Sequence, residues 1–279
     1  MEQEPSSMET AAQVEDDDKP AVKSIDRAAT ILQVLAAFGV RGGPLTEIAK
    51  QAGFGKATTH RLLAALADVG FASQNAANRH YHLGARLGLL SRQAHQQDIA
   101  VLASPSLRHL AAVTEDTAYL SVREGLRSLC LGREQGDFPI KTLSLDVGQS
   151  RPLGVGSGSL ALLAFLPKAE IESAVESNQR WLRDFPAFTP SKLASLVKQT
   201  QTQGFSFVEG LIIPGVNAIG VPVLDAQKQP VAALSITAIA ERVHGERALK
   251  LAALLHEEAG QLSALIARQG GAEAAGDRP

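Results

Sequence analysis

The sequence predicts an α+β chain of two domains, a small winged helix-turn-helix followed by a larger antiparallel sheet flanked by helices. Three observations carry this expectation. Leu45 to Phe71, LTEIAKQAGFGKATTHRLLAALADVGF, reads as two short helices around a tight turn at Gly53, and a hairpin pattern follows at once. From Thr117 to Arg133, and again from Phe205 to Ala238, runs of period-two alternation are joined by short turns and separated by helical stripes. A length of 279 residues suits about two domains.

Composition narrows the class. An apolar share of 45% is ample for packed cores. The longest apolar run, Leu160 to Leu166, is far short of the ~20 residues that span a bilayer. No basic-then-apolar leader opens the chain, and a single cysteine excludes an intrachain disulfide, so a cytoplasmic protein without membrane contact is expected. The net charge of −2 hides an asymmetry. Residues 1–20 carry seven acids and one lysine, whereas residues 21–97 carry nine Lys/Arg against three acids. A basic segment of that size is the electrostatic footprint of a nucleic-acid-binding domain. The opening stretch, with Glu15-Asp-Asp-Asp18, reads as a disordered acidic tail over residues 1–23.

The first domain is expected over residues 24–84. Ile25, Ala28, Ile31, Leu32, Leu35 and Phe38 recur at helical spacing behind an N-cap at Ser24, and Gly39 with Gly42-Gly43-Pro44 ends that support helix. Thr46 is placed to cap the next helix, whose stripe is Ile48, Ala49 and Ala52, and Gly53 supplies a left-handed exit. The second helix of the pair begins near Lys56. At roughly 100° per residue, Thr59, Leu62, Leu63, Leu66 and Val69 share its buried side. Ala57, His60, Arg61 and Ala64 fall opposite, with Lys56 beside them and Thr58 in the first turn. A leucine face backed by small, basic and hydroxyl residues suits a helix laid in the DNA major groove. Arg can read guanine bidentately, Thr can reach base edges or phosphate, and Ala57 is small enough to meet a thymine methyl. Two strands around Asn75-Ala-Ala-Asn78, with Tyr81 and Leu83 on one face, form the wing, and Arg79 near its tip is placed for a phosphate. The DNA-contacting set is therefore Thr46, Lys56, Ala57, Thr58, His60, Arg61 and Arg79. His80 and His82 could mimic a metal pair, but no further ligand accompanies them, and neither a metal nor a cofactor is expected.

Residues 85–97 read as a linker helix with a stripe of Leu87, Leu90 and Ala94, suited to pairing two copies. A single winged helix reads too few base pairs for tight specific binding. The second domain, 98–269, opens with helical segments interrupted at Ser104-Pro105. A hairpin follows with its turn at Glu124-Gly125, then a strand at Ile140 to Leu145, and Cys130 lies among leucines as a buried thiol. Helices are expected at Ser157–Leu166, Ala169–Ser177 and Ser191–Gln203, and strands at Phe205–Val208, Val216–Leu224 and Val231–Ala238. A long helix then runs from about Gly245 to Gln269, and residues 270–279 are a frayed tail.

The loop Arg151-Pro-Leu-Gly-Val-Gly-Ser-Gly-Ser159 precedes a helix, where backbone N–H groups and the helix dipole can meet an anion. No Gly-Lys-Ser/Thr follows it, so it is not a Walker loop, and neither a dinucleotide fingerprint nor a Gly-x-Ser-x-Gly elbow is present. No base and acid converge on it either, which argues against an enzyme; the loop then reads as a site for a small anionic ligand or as a tight strand-to-helix turn without one.

Three segments together resemble the IclR family of bacterial transcriptional regulators over about Ser24 to Gln269. They are Ser24-Ile-Asp-Arg-Ala with LTEIAKQAGFGKATTHRLL, Val147-Gly-Gln-Ser-Arg-Pro-Leu with its Gly-Ser-Gly loop, and PGVNAIGVPVLDAQKQPVAALSITA. The resemblance implies a winged helix, a linker helix and a C-terminal effector domain similar to GAF sensors. It also implies homodimers or homotetramers on palindromic double-stranded DNA operators. Small carboxylate effectors in the family sit against the glycine loop and the later strands. Carried over, this gives Gly156, Ser157 and Gly158 at the loop, Ala218 where many relatives have cysteine, and Ser235 and Thr237 on the last strand. Relatives often show an acidic run where this chain reads Val208-Glu-Gly-Leu211, and lysine is common where Ser159 stands. A wall of Val208, Leu211, Ile212 and Ala218 would favour an aromatic or branched carboxylic acid over a very small keto acid. Two alternatives stay open on the residues alone: a second domain that only oligomerises, and an enzyme with an accessory DNA-binding domain.

Overall fold

The computed structural model describes residues 23–91 and 96–276, which form two compact units, one ending at Ser91 and one made of the later residues. Residues 1–22 of the expected acidic tail, Ala94 of the expected linker stripe and residues 277–279 lie outside the described residues.

The first unit comprises α1 (Lys23–Phe38), α2 (Leu45–Ala52), α3 (Lys56–Asp68), β1 (Ala72–Gln74), β2 (Tyr81–Leu83) and α4 (Ala85–Ser91). Ile31 and Leu35 of α1, Ile48 and Ala52 of α2, Leu63 and Leu66 of α3, and Ala72 and Tyr81 of the hairpin close one small core. Gly53 leaves α2 at φ +70°, and its N–H together with that of Phe54 returns to the last α2 carbonyls, which turns the chain into α3. At Gly84 a Cβ would lie 2.1 Å from the Gly70 carbonyl oxygen, so a glycine is what allows the hairpin to close on the end of α3.

Four local expectations are corrected. Ser24 lies inside α1 instead of capping it. Pro44 is the N-cap of α2, with no side-chain cap bond, and Thr46 stands exposed in the first turn; the proline ring fixes the entry backbone that a hydroxyl would otherwise have stabilised. Val69 is 45% exposed because α3 ends at Asp68 and the chain leaves the helical path there. Leu83 is also exposed, so the wing's buried residues are Tyr81 and, on β1, Ala72.

The second unit opens with α5 (Gln96–Thr114), β3 (Thr117–Glu124), β4 (Arg127–Gln135) and β5 (Ser150–Pro152). It continues with α6 (Ser157–Ala164), α7 (Lys168–Ser177), α8 (Gln179–Leu182) and α9 (Pro190–Gln203), then β6 (Ser206–Glu209), β7 (Val216–Leu224), β8 (Pro230–Ile239) and α10 (Gly245–Gly276). The strands form one sheet in the order β5-β4-β3-β8-β7-β6, with every neighbour antiparallel. This is the expected mixed α+β architecture.

Alternation sets the two faces of that sheet. Leu120, Val122, Ile219, Val221, Leu234 and Ile236 point one way and pack with α5 and α10 into a continuous apolar core. The opposite face is small and polar at its centre, with Tyr119 opposite Ser235, Ala218 opposite Thr237, and Gly220 opposite Ser235. Helix α6, buried on all sides, lies on that second face. It comes so close that a Cβ on Gly220 would sit 2.9 Å from the Ser157 carbonyl carbon.

Here too the structure differs from the sequence reading. Helix α5 runs through Pro105 without interruption. The carbonyl a proline leaves unbonded belongs to Val101, whose residue is 73% exposed, so water can satisfy it. Ile140 to Leu145 is not a strand. The outer edge of β4 is taken by β5, and residues 140–145 instead form a strap fastened across the polar face: Tyr119 Oη donates to the Thr142 carbonyl (2.9 Å), and Thr142 Oγ1 donates to the Thr237 carbonyl (2.7 Å). The hairpin turn falls at Gly125-Leu126, one residue later than expected, and α10 continues to Gly276 instead of ending near Gln269.

Candidate functional site

On the first unit, α3 presents Lys56, Ala57, His60, Arg61 and Ala64 to solvent, while Thr59, Leu63 and Leu66 are buried and Thr58 is intermediate. Arg79 sits at the hairpin tip in the left-handed region (φ +60°). Asx turns at Asn75 and Asn78 hold that tip, and Gln74 Nε2 donates to the Arg79 carbonyl at 3.0 Å. Thr46 is exposed on α2. An open groove of about 690 Å³ also brings Ser24 and Arg27 of α1 beside Thr58 and Arg61. Sequence reasoning did not single out Arg27, which stands one turn after Lys23 on the polar side of α1. The His80 ring faces the Arg41 carbonyl at 3.2 Å, and no cluster of three or more His, Cys, Asp or Glu converges among the described residues.

On the second unit, the polar face of the sheet, the strap and the start of α6 enclose a cavity of about 50 Å³. Gly156, Ser157, Gly158, Ala218, Ser235 and Thr237 all line it, so six of the seven residues singled out for an effector are brought together. Val208 lines a second cavity of about 20 Å³, with Ile212, Ile213 and Val216, and the two cavities share Ser144, Ile212, Ala218 and Thr237. Leu211 lines neither and packs into the core beneath α6.

Gly156 has φ +93° and precedes α6, whose first N–H groups have no partner within the helix. A Cβ on Gly158 would lie 3.0 Å from Ser121 Oγ and 3.2 Å from Ser235 Oγ, which measures how closely those hydroxyls approach the loop. Ser206 Oγ donates to the Ser157 carbonyl at 2.7 Å and holds the helix start on the sheet. Arg151, on β5 opposite Ser128, turns its guanidinium into the same cavity and donates to the Ser144 carbonyl. Burial lowers its pKa from the ordinary guanidinium value, with Tyr119 and Cys130 opposing that shift. Cys130 is fully buried, and burial pushes its thiol up to about 11, so it holds its proton at neutral pH and is chemically inert.

Two family models match the chain. The IclR helix-turn-helix domain covers residues 24–76, and the bacterial transcriptional regulator IclR C-terminal domain covers residues 91–264. The chain belongs to the IclR family. It is a transcriptional regulator with a DNA-binding helix-turn-helix unit. Among IclR-type relatives, the regulator XynR of Escherichia coli is 29% identical over 236 residues, 80% of this chain and 89% of XynR. The acetate operon repressor of Salmonella typhimurium is 25% identical over 247 residues, 87% and 89% of the two chains. The crystal structure of an IclR-type regulator from Alicyclobacillus acidocaldarius superposes with a TM-score of 0.65 at 26% identity, covering 88% of this chain and 99% of that one. These relatives are named as regulators or repressors and none as an enzyme. Among the described residues of this IclR-family chain, no helix is long and apolar enough to cross a membrane.

The resemblance gave the glycine loop and the two hydroxyls of β8, but not Arg151. The available signal was alternation: in Ser150-Arg151-Pro152, Ser150 bonds the outward Arg127 (Nε to Oγ, 2.8 Å), which leaves Arg151 to point inward.

Proposed function

We propose that this IclR-family regulator binds its operator through α3 and the wing, and that a small carboxylate with a hydrophobic body modulates that binding from the cavity under the strap. The observation that carries the effector reading is the cavity's two chemistries. One end offers the α6 N–H groups, Ser121, Ser235 and Thr237, which suit an anion and hydroxyl hydrogen bonds. The adjoining end, with Val208, Ile212, Ile213 and Val216, suits an aromatic or branched body. A homologue from Microbacterium hydrocarbonoxydans with the same fold (TM-score 0.65, 21% identity) was crystallised with 4-hydroxybenzoate. That precedent supports an acid of this type without fixing its identity.

On the DNA side, Arg61 reads a base edge from α3, with Ala57, Thr58 and His60 beside it, while Lys56, Thr46 and Arg79 position the phosphates. Arg27 joins the phosphate set from α1. Arg61→Ala is expected to cost about 1–3 kcal/mol of specific binding, and Lys56→Ala to weaken all sequences alike and flatten the salt dependence. Footprints unchanged by either substitution would remove α3 from the groove. The regulator acts as a two-fold pair or a pair of such pairs, a reading supported by the exposed Leu89 and Leu90 on α4.

Isothermal titration tests the effector reading. Aromatic acids should bind more tightly than glyoxylate or pyruvate, and a Ser235→Ala, Thr237→Ala double variant should weaken the tightest of them. A higher affinity for either keto acid, or a double variant with full affinity, refutes it. Effector occupancy changes DNA affinity only through differential binding to two forms of the protein, so saturating acid must shift the operator titration.

A further inference from the structure

The carboxylate reading leaves open which group neutralises the ligand and how occupancy is felt beyond the cavity. The arginines of this sheet and its flanks give an answer by contrast. Arg123 pairs with Glu170, Arg133 with Asp146, and Arg242 and Arg247 with Asp116. Arg127 and Arg151 have no carboxylate within ion-pair distance among the described residues; Arg127 bonds Ser150 and lies over the Trp181 ring, whereas Arg151 lines the cavity. Its acceptor is a neutral backbone carbonyl, that of Ser144.

A largely buried cation bonded only to a neutral oxygen is in an unfavourable setting, and a charged acceptor there would be roughly twice as strong a partner. The cavity places such an acceptor within reach. A Cβ on Gly156 would lie 3.5 Å from Arg151 Nη1 and 3.4 Å from Ile212 Cδ1. The space above the loop is therefore bounded by the guanidinium on one side and the apolar wall on the other.

The geometry points to Arg151 as the counter-ion of the effector carboxylate, and to the Ser144 carbonyl as the acceptor it gives up on binding. This rests on the carboxylate reading above. Ser144 lines both cavities and belongs to the strap. Besides Arg151, the strap is fastened by Tyr119 to Thr142 and Ser144, by Thr142 to the Thr237 carbonyl, and by Arg133 to the Leu145 carbonyl and Asp146. Tyr119 and Thr237 themselves line the polar cavity. A carboxylate that takes Arg151 removes one of these fastenings, and the strap is the element that registers occupancy.

The test uses the full chain with benzoate, phenylacetate and acetate, each beside its neutral amide. Trp181, the single tryptophan, lies 5.9 Å from the Arg127 guanidinium, and Arg127 bonds Ser150, so its emission reports on the β5 edge and on folding of each variant. Wild type should prefer at least one acid over its amide by roughly tenfold or more, and Arg151→Gln should erase that preference while amide binding stays within about twofold. Arg151→Lys should restore part of it, because it keeps the charge and loses the fork. Hydrogen exchange at the amides of residues 143–146 should quicken in wild type on adding the preferred acid, and should already be quick in Arg151→Gln without ligand. An Arg151→Gln protein that still prefers the acid overturns the pairing and leaves the carboxylate reading standing. Exchange in the strap that does not respond to saturating acid overturns the coupling. A wild type that prefers none of the acids overturns the carboxylate reading and this inference with it.

Discussion

Asp116→Ala should lower the melting temperature of the second unit by roughly 6–12 °C, from a loss of about 3 kcal/mol. The Asp116 side chain is 1% exposed and accepts from Arg242 Nε (2.7 Å) and Arg247 Nη2 (2.8 Å). Both guanidinium groups also donate to the Thr114 carbonyl, and Arg242 lies 3.9 Å from the centroid of the Phe138 ring. One carboxylate thus ties the end of α5 and the start of β3 to the start of α10, and anchors the approach to the strap. Removing it leaves two half-buried cations, of which only Arg242 keeps a carboxylate, the half-exposed Glu115 at 3.5 Å, and this costs more than the pair contributed. Arg247 keeps part of its hydration, so the loss belongs at the lower end of the range for broken buried pairs. Asp116→Asn, which keeps an acceptor without the charge, should fall in between. Thermal unfolding followed by Trp181 emission measures this, and an Asp116→Ala transition within a degree or so of wild type would show the clamp to be dispensable.

Leu63→Ala should abolish operator binding near 37 °C while the Trp181-detected transition of the second unit stays where it is. Leu63 is fully buried on α3, in a core of eight buried hydrophobic residues. Truncating such a leucine costs about 2–5 kcal/mol. A domain of this size has little more than about 5 kcal/mol to lose, because small domains bury a smaller fraction of their surface. Since α3 supplies both that core residue and the DNA-facing residues, loss of the core is loss of the interface. Amide exchange along α3 should rise to near-global levels in the variant. A Leu63→Ala protein that shifts operator DNA with wild-type affinity, or one whose Trp181 transition falls with the first unit, would be contrary to the separate cores.

Local chemistry was enough to read the helix-turn-helix from residues alone. Gly53 takes the left-handed turn, the Thr59, Leu63 and Leu66 stripe is buried, and the opposite face of α3 is exposed, because helical period and turn preference act over only a few residues. The same holds for the strands of the second unit, whose alternation separates an apolar outer face from a polar inner one. Motif resemblance added the family and six of the residues that line one cavity. What only the tertiary structure decided depends on partners far apart in sequence. Residues 140–145 alternate like a strand, yet β5 already occupies the edge they would need, so they become a strap held by Tyr119 and Thr237. Pro105 stays inside α5 because the carbonyl it leaves unmet belongs to the exposed Val101, and Val69 is exposed because the helix stops one residue short of it. Arg151 reads as an ordinary arginine in sequence. It becomes a half-buried cation without a counter-ion among the described residues only when β5 docks on β4 and the strap closes over it, since charge compensation is a property of three-dimensional neighbours.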